Sequence, residues 1–228
     1  AVRNAAEFRD AVAEAKPGTR IALAPGNYGG GFQFNDLRGE PGKPIVITAA
    51  NLAEPPVFGD AGTGLQLSNP AYVEFHALSF ARLTDNGLNI DDGGKREGPG
   101  AHHIVLHGLR VTEVGPKGNR DAIKLSGVSD FRVSGCALER WGDGGSGIDL
   151  VGCHRGVIEG STFRHADPPE ANGVQCKGGS SEITILGNRF EHPGARGVNL
   201  GGSTGLAFFR PPLGATGPHA EARAIRVE

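Results

Sequence analysis

A four-residue unit of small, apolar, polar and apolar residues recurs through this chain: GLQL at 64, GLNI at 87, AIKL at 122, GIDL at 147, GVQC at 173 and GVNL at 197, at intervals of 23, 35, 25, 26 and 24 residues. Between these units runs a second alternating pattern: VEFHA at 73, IVLHG at 104, FRVSG at 131, GVIEG at 156 and ITILG at 183. Period-two alternation in such short runs makes strands with one buried face, and the glycines between them make turns. Strands that return at this period bury their apolar face only by stacking, which predicts a solenoid. The 35-residue interval contains the polar insert DDGGKREGPG, residues 91 to 100, expected to bulge from one coil as a loop. Leucine-rich repeats need a consensus that is absent, α-solenoids need helical periodicity, and propeller blades are longer. A parallel β-helix remains, an all-β fold with side chains alternating between core and solvent.

The N-terminus differs in kind. Asn4 and Glu7 have the spacing of a capping box; Phe8, Ala11, Val12 and Ala15 share a helical stripe, and Pro17 with Gly18 ends it. The expected organisation is one domain over 1–228: a cap helix in 1–18, first strands in 19–62 and repeating coils in 63–228. Ile225 and Val227 in RAIRVE repeat the second pattern without its closing glycine, from which a truncated parent chain with further coils or a C-terminal cap is expected.

Glycine, at 38 of 228 residues, is abundant, yet 38% of the chain is hydrophobic, so the glycines punctuate a real core. The balance of 23 basic and 25 acidic residues gives no basic field for nucleic acid. No apolar run is long enough for a membrane span. Cys136, Cys153 and Cys176, an odd number in a chain of this size, are expected as buried free thiols.

Stacked coils repeat about every 4.8 Å, so equivalent positions form ladders. The outward middle position of the first pattern carries Gln66, Asn89, Lys124, Asp149, Gln175 and Asn199; two residues on stand Ser68, Asp91, Ser126, Val151, Lys177 and Gly201. Amides, carboxylates and cations on one face suit a hydroxyl-rich, carboxylated sugar, and equally an ordinary solvated face. Lys124 is the candidate proton-abstracting base, opposed by the neighbouring Asp149, whose charge favours the ammonium form. Calcium held by Asp149, Asp121 and Asp91 or Asp92 would release that lysine, while the bland alternative is an exposed ion pair worth about 0–1 kcal/mol. Asp121 also fits a plain turn residue, and Arg120 a carboxylate grip or open surface. Trp141, in the glycine-rich turn ERWGDGGSG, is a sugar platform if exposed and core if buried. Asp143 in that turn, with Asp121 or Asp149, is a candidate carboxylate pair for hydrolysis. His102, His103 and His107 lack zinc-site spacing, and His154 is expected in a solvent-exposed turn.

FRDAVAEAKPGTRIALAPGNY followed by GKPIVITAA resembles the N-terminal cap and first coil of pectate-lyase-like right-handed parallel β-helix proteins, including the chondroitinase and alginate lyase group. GIDLVGCHRGVIEGSTF and GVQCKGGSSEITILGNRF are similar to that superfamily's coils. The resemblance implies a right-handed helix, a secreted, extracellular or periplasmic protein, and an acidic polysaccharide as partner; the chain is expected to be a monomer. Taken with the ladder residues, the favoured reaction is β-elimination, with Lys124, Asp149 and Asp121 as catalytic candidates, Arg120, Trp141, Gln175, Lys177, Asn199 and Asn89 as substrate-binding candidates, and calcium as a candidate cofactor. A non-catalytic glycan-binding or structural module and a glycoside hydrolase are the alternatives. The hydrolase group's GHG and RIK motifs and the epimerases' DPHD are absent.

Overall fold

A computed structural model describes residues 1–95, 98–214 and 219–228. It is a parallel β-helix of three sheets with eight, seven and seven strands, every neighbouring pair parallel and one coil apart. The first sheet is built from strands such as Ala101–His107, Val128–Ser134, His154–Glu159 and Ser180–Leu186; the second from short strands such as Ala137–Glu139 and Thr162–Arg164. The third sheet holds the first repeat pattern: Leu65–Ser68, Leu88–Asp91, Ile123–Ser126, Ser146–Val151, Asn172–Lys177 and Arg196–Leu200. A seventh rung, Phe32–Asn35, pairs Gln33 with Gln66 and lies in GFQF, which also fits the tetrad. Residues 19–62 therefore already contain coils of the same three sheets.

The expected ladder is present as strand register: Gln66 aligns with Asn89, Asn89 with Lys124, Lys124 with Asp149, Asp149 with Gln175, and Gln175 with Asn199. Their neighbours Leu65, Leu88, Ile123, Ile148 and Val174 point inward and are fully buried, each adding about 1.5–3 kcal/mol of burial free energy. Gly156, which breaks the apolar series of the first sheet, has a physical reason. A Cβ there would lie 2.1 Å from Cζ of Phe131, whose ring fills the space a side chain would take.

The helix Ala5–Ala13 closes the N-terminal end. Asn4 Oδ1 accepts from the Glu7 N–H at 3.0 Å, and Glu7 returns a carboxylate to the Arg3 N–H at 2.8 Å, one residue earlier than a standard capping box. Phe8 is completely buried, edge-on to Phe32, Phe34 and Phe58, so the helix seals the first coil. The three cysteines are buried free thiols, as expected. No helix among the described residues is long and apolar enough to cross a membrane.

Two features interrupt the regular coil between the third and first sheets. One is the 91–100 insert, of which 96 and 97 lie outside the described residues; the other is the stretch between Arg196–Leu200 and Ala222–Val227, described except for 215–218, which carries a 3-10 turn, Leu206–Phe208. Just inside the first sheet, the residues Tyr72, His103, Asp130, Arg155, Glu182 and Ala224 all have φ of 51–59°. A left-handed residue recurs at one position in six of the eight strands of that sheet, and none of the six is glycine.

Candidate functional site

Three-residue spacing along Asp121-Ala122-Ile123-Lys124 and one-coil stacking bring Lys124 between two acids. Lys124 Nζ donates to Asp121 Oδ2 at 3.0 Å and to Asp149 Oδ2 at 2.9 Å. Lys177 Nζ lies 3.1 Å from Asp149 Oδ1, off the direction of a hydrogen bond, so that contact is Coulombic. The expectation that Asp149 stands on a solvated face is corrected: Asp121 and Asp149 are fully buried, while Lys124 keeps 24% of its side chain exposed. The ladder ion pair is a buried network rather than an exposed pair.

This burial decides the chemistry. Desolvation alone would lower the Lys124 pKa, but the two anions outweigh it and raise the value well above the ordinary lysine range. Burial, and then the nearby Asp149, raise the Asp121 pKa against the pull of Lys124. Asp121 Oδ1 also accepts from the Ser146 N–H at 2.8 Å, so its turn role holds as well. Lys124 is a fixed ammonium in this arrangement.

Calcium does not fit these donors. The inner oxygens of Asp121 and Asp149 face two ammonium groups, and Asp91 accepts from Gln66 Nε2 at 2.6 Å and from the Gly93 N–H at 2.7 Å. Among the described residues no three His, Cys, Asp or Glu side chains converge as metal ligands.

The remaining candidates divide. Gln175 joins the network, its Oε1 accepting from Lys177 Nζ at 3.3 Å, and Asn89 Nδ2 donates to Gln66 Oε1 at 2.6 Å. Asn199 stands in register at the end of the row. Arg120 turns away to Asp85, 3.3 Å distant. Trp141 is 1% exposed, edge-on to His165, so its ring faces the core and offers no platform. Asp143 is exposed and lines a separate cleft with Trp141, while Asp121 and Asp149 are buried, so they form no open carboxylate pair with it.

Sequence reasoning missed a second constellation. At the corner where the third sheet meets the first, a groove of about 320 Å³ is lined by Lys95, His154, Arg155, Arg210 and Arg223 against Asp92 and Glu182. Ser129, His154, Ser181 and Arg223 occupy one ladder on the first sheet. The left-handed row beside it holds Arg155, whose Nε and Nη2 donate to both oxygens of Asp130 at 2.8 and 2.9 Å. The walls come from the two interruptions of the repeat: Arg210 Nε donates to Asp92 Oδ2 at 2.6 Å across 118 residues, a nearly buried pair. Among the described residues Arg223 forms no ion pair. His154 Nδ1 lies 2.9 Å from Ser181 Oγ. Burial, then Arg155 and Arg223, hold the His154 pKa below the ordinary histidine value, against a smaller opposing pull from the Arg210 backbone. The visible signals were the 35-residue interval and the long run after GVNL; that they meet was not visible.

A family model described as a right handed beta helix region matches residues 121–210. An alginate lyase from Paenibacillus sp. str. FPU-7 superposes with a TM-score of 0.69 at 21% identity, covering 83% of this chain and 65% of its own. A mannuronic acid specific polysaccharide family 6 lyase from human gut microbiota gives 0.66 at 16% identity, covering 86% and 50%. A lacto-N-biosidase from Eubacterium ramulus gives 0.51 at 10% identity, covering 81% and 52%. The chain thus spans less than two thirds of the length of each of these proteins. No curated protein matches the sequence. The register of the strands and these likenesses together make the chain a right-handed parallel β-helix, the fold it shares with these carbohydrate-active enzymes.

Proposed function

We propose that this protein binds a uronate-bearing polysaccharide in the groove of Lys95, His154, Arg155, Arg210 and Arg223 and cleaves it by β-elimination. The observation that carries the reading is the convergence of four cationic side chains and a histidine of lowered pKa where the two interruptions of the repeat meet. Elimination removes the proton beside the sugar carboxylate and expels the glycosidic oxygen from the next carbon. It therefore needs positive charge on the carboxylate and a neutral base nearby. Arg223 supplies the charge and His154 accepts the proton, then returns it to the departing oxygen. Lys124, whose positive charge is matched by two carboxylates, supports the adjacent sheet in this reading instead of acting as base. No calcium ion is assigned to Asp91, Asp121 and Asp149.

A non-catalytic glycan-binding module is the second reading, favoured by the engagement of Arg155 with Asp130 and of His154 with Ser181. Incubation with pectate, alginate and glycosaminoglycans, followed by ultraviolet absorbance of the unsaturated product, separates the two. The expected result is absorbance from one of these substrates, lowered on the order of 10²- to 10⁴-fold by His154→Gln. Retention of the glycan without absorbance supports the binding module, and new reducing ends without absorbance support hydrolysis.

A further inference from the structure

The segment that supplies Arg210 to the groove also displays the most exposed phenylalanine among the described residues. Phe208 is 64% exposed and Leu206 beside it 73%, whereas Phe209 between Phe208 and Arg210 is buried. Large apolar side chains held in water are unfavourable, and a flexible loop would fold them away. This turn is not free to do so. The Phe208 N–H donates to the Gly205 carbonyl at 2.8 Å and the Arg210 N–H to the Gly178 carbonyl at 3.0 Å. Arg210 Nη1 donates back to the carbonyls of Ala207 and Phe209 at 3.3 and 3.1 Å, while its Nε holds Asp92. One guanidinium therefore clamps the turn and forms part of the groove wall, two residues along the chain from the exposed Phe208.

We infer that Phe208, with Leu206, is a preorganised platform on which a sugar ring of the acidic polysaccharide stacks while its carboxylates lie among the groove cations. The inference rests on the proposed function for the identity of the ligand. Sugar rings present a face of C–H groups that packs on an aromatic ring, and a rigid platform loses little entropy on binding. The cationic groove two residues away selects the charge of the occupant, so an acidic glycan matches both surfaces at once. Sheet strands behind the groove rise about 4.8 Å per coil, which lets a chain of sugars run along the helix axis past the turn.

Affinity electrophoresis through gels containing pectate, alginate or heparin tests this. The wild-type protein is expected to be retarded by at least one of these polymers. Phe208→Ala should weaken that retardation about tenfold in apparent Kd, Phe208→Trp should preserve or strengthen it, and both should melt at the wild-type temperature because the side chain is exposed. Arg223→Ala reports the groove independently. Retardation that Arg223→Ala abolishes and Phe208→Ala leaves intact overturns the platform while keeping the proposed function. A wild-type protein retarded by none of the polymers overturns both. If Phe208→Ala changes self-association in sedimentation and leaves glycan retardation unchanged, the patch is a protein contact and the inference is wrong.

Discussion

Lys124 is where residue identity and environment part. Its place in the ladder, beside Asp149, follows from counting tetrads, and so does the expectation that an anion would favour its ammonium form. What the sequence does not carry is depth. Asp121 and Asp149 are fully buried, so removing the lysine leaves two carboxylates in a low-dielectric interior with only Lys177 nearby. Breaking a buried network by deleting one partner costs about 3–5 kcal/mol, whereas replacing the whole network by neutral groups costs far less. Lys124→Met should therefore destabilise the fold strongly in denaturant melts. The combined Lys124→Met, Asp121→Asn and Asp149→Asn variant should recover much of that loss. Equal stability of Lys124→Met and wild type would show that the acids are protonated or solvated when the lysine is gone. The cysteines follow the same logic with less at stake: burial pushes Cys136 up to about 11 and Cys153 and Cys176 up to about 12, so all three stay thiols.

At the scale of elements, the strands were legible because each tetrad repeats the same inside and outside pattern, and even the missed rung GFQF obeys it. The groove was not, because its walls are two irregular segments whose meeting depends on the Arg210–Asp92 pair rather than on any period. The glycine that admits one wall is specific. Gly152 has φ +61°, and a Cβ there would lie 2.7 Å from Arg210 Cβ. Gly152→Ala thus meets both a left-handed backbone penalty and a collision with the segment that carries the clamp. The expected outcome is release of residues 201–214 with the coils retained, seen as rapid proteolytic cleavage in that stretch while far-ultraviolet circular dichroism is unchanged. Cleavage no faster than in wild type would mean that the corner yields instead, and that Arg210 is not what holds the segment.

The whole molecule behaves as a stack in which each coil touches its two neighbours, since every strand pairs only with strands one coil away. That is why fold came through from sequence and site did not: the coil is specified locally many times over, the groove once and at a distance. The stack makes a sharp prediction. Removing residues 64–86, one interval of 23, joins Thr63 to Gly87 and deletes one strand from each sheet. Phe32–Asn35 can then meet Leu88–Asp91 in the register it had with Leu65–Ser68. The lost coil carries Leu65, Leu67, Val73, Phe75, Leu78, Phe80 and Leu83, all nearly or fully buried, so the shortened protein should melt lower. It should nevertheless unfold cooperatively, because stability in a repeat array is close to a sum of unit and interface terms. Asp92 and Lys95 adjoin the deleted coil, but His154, Arg155 and Arg223 lie coils beyond it, so retardation by acidic polysaccharide should survive. Deleting about half a coil instead rotates every later strand onto the wrong sheet and should abolish the fold. If the whole-coil deletion is as disruptive as the half-coil one, neighbour-only stacking is the wrong description, and the corner networks that span several coils are holding the molecule together.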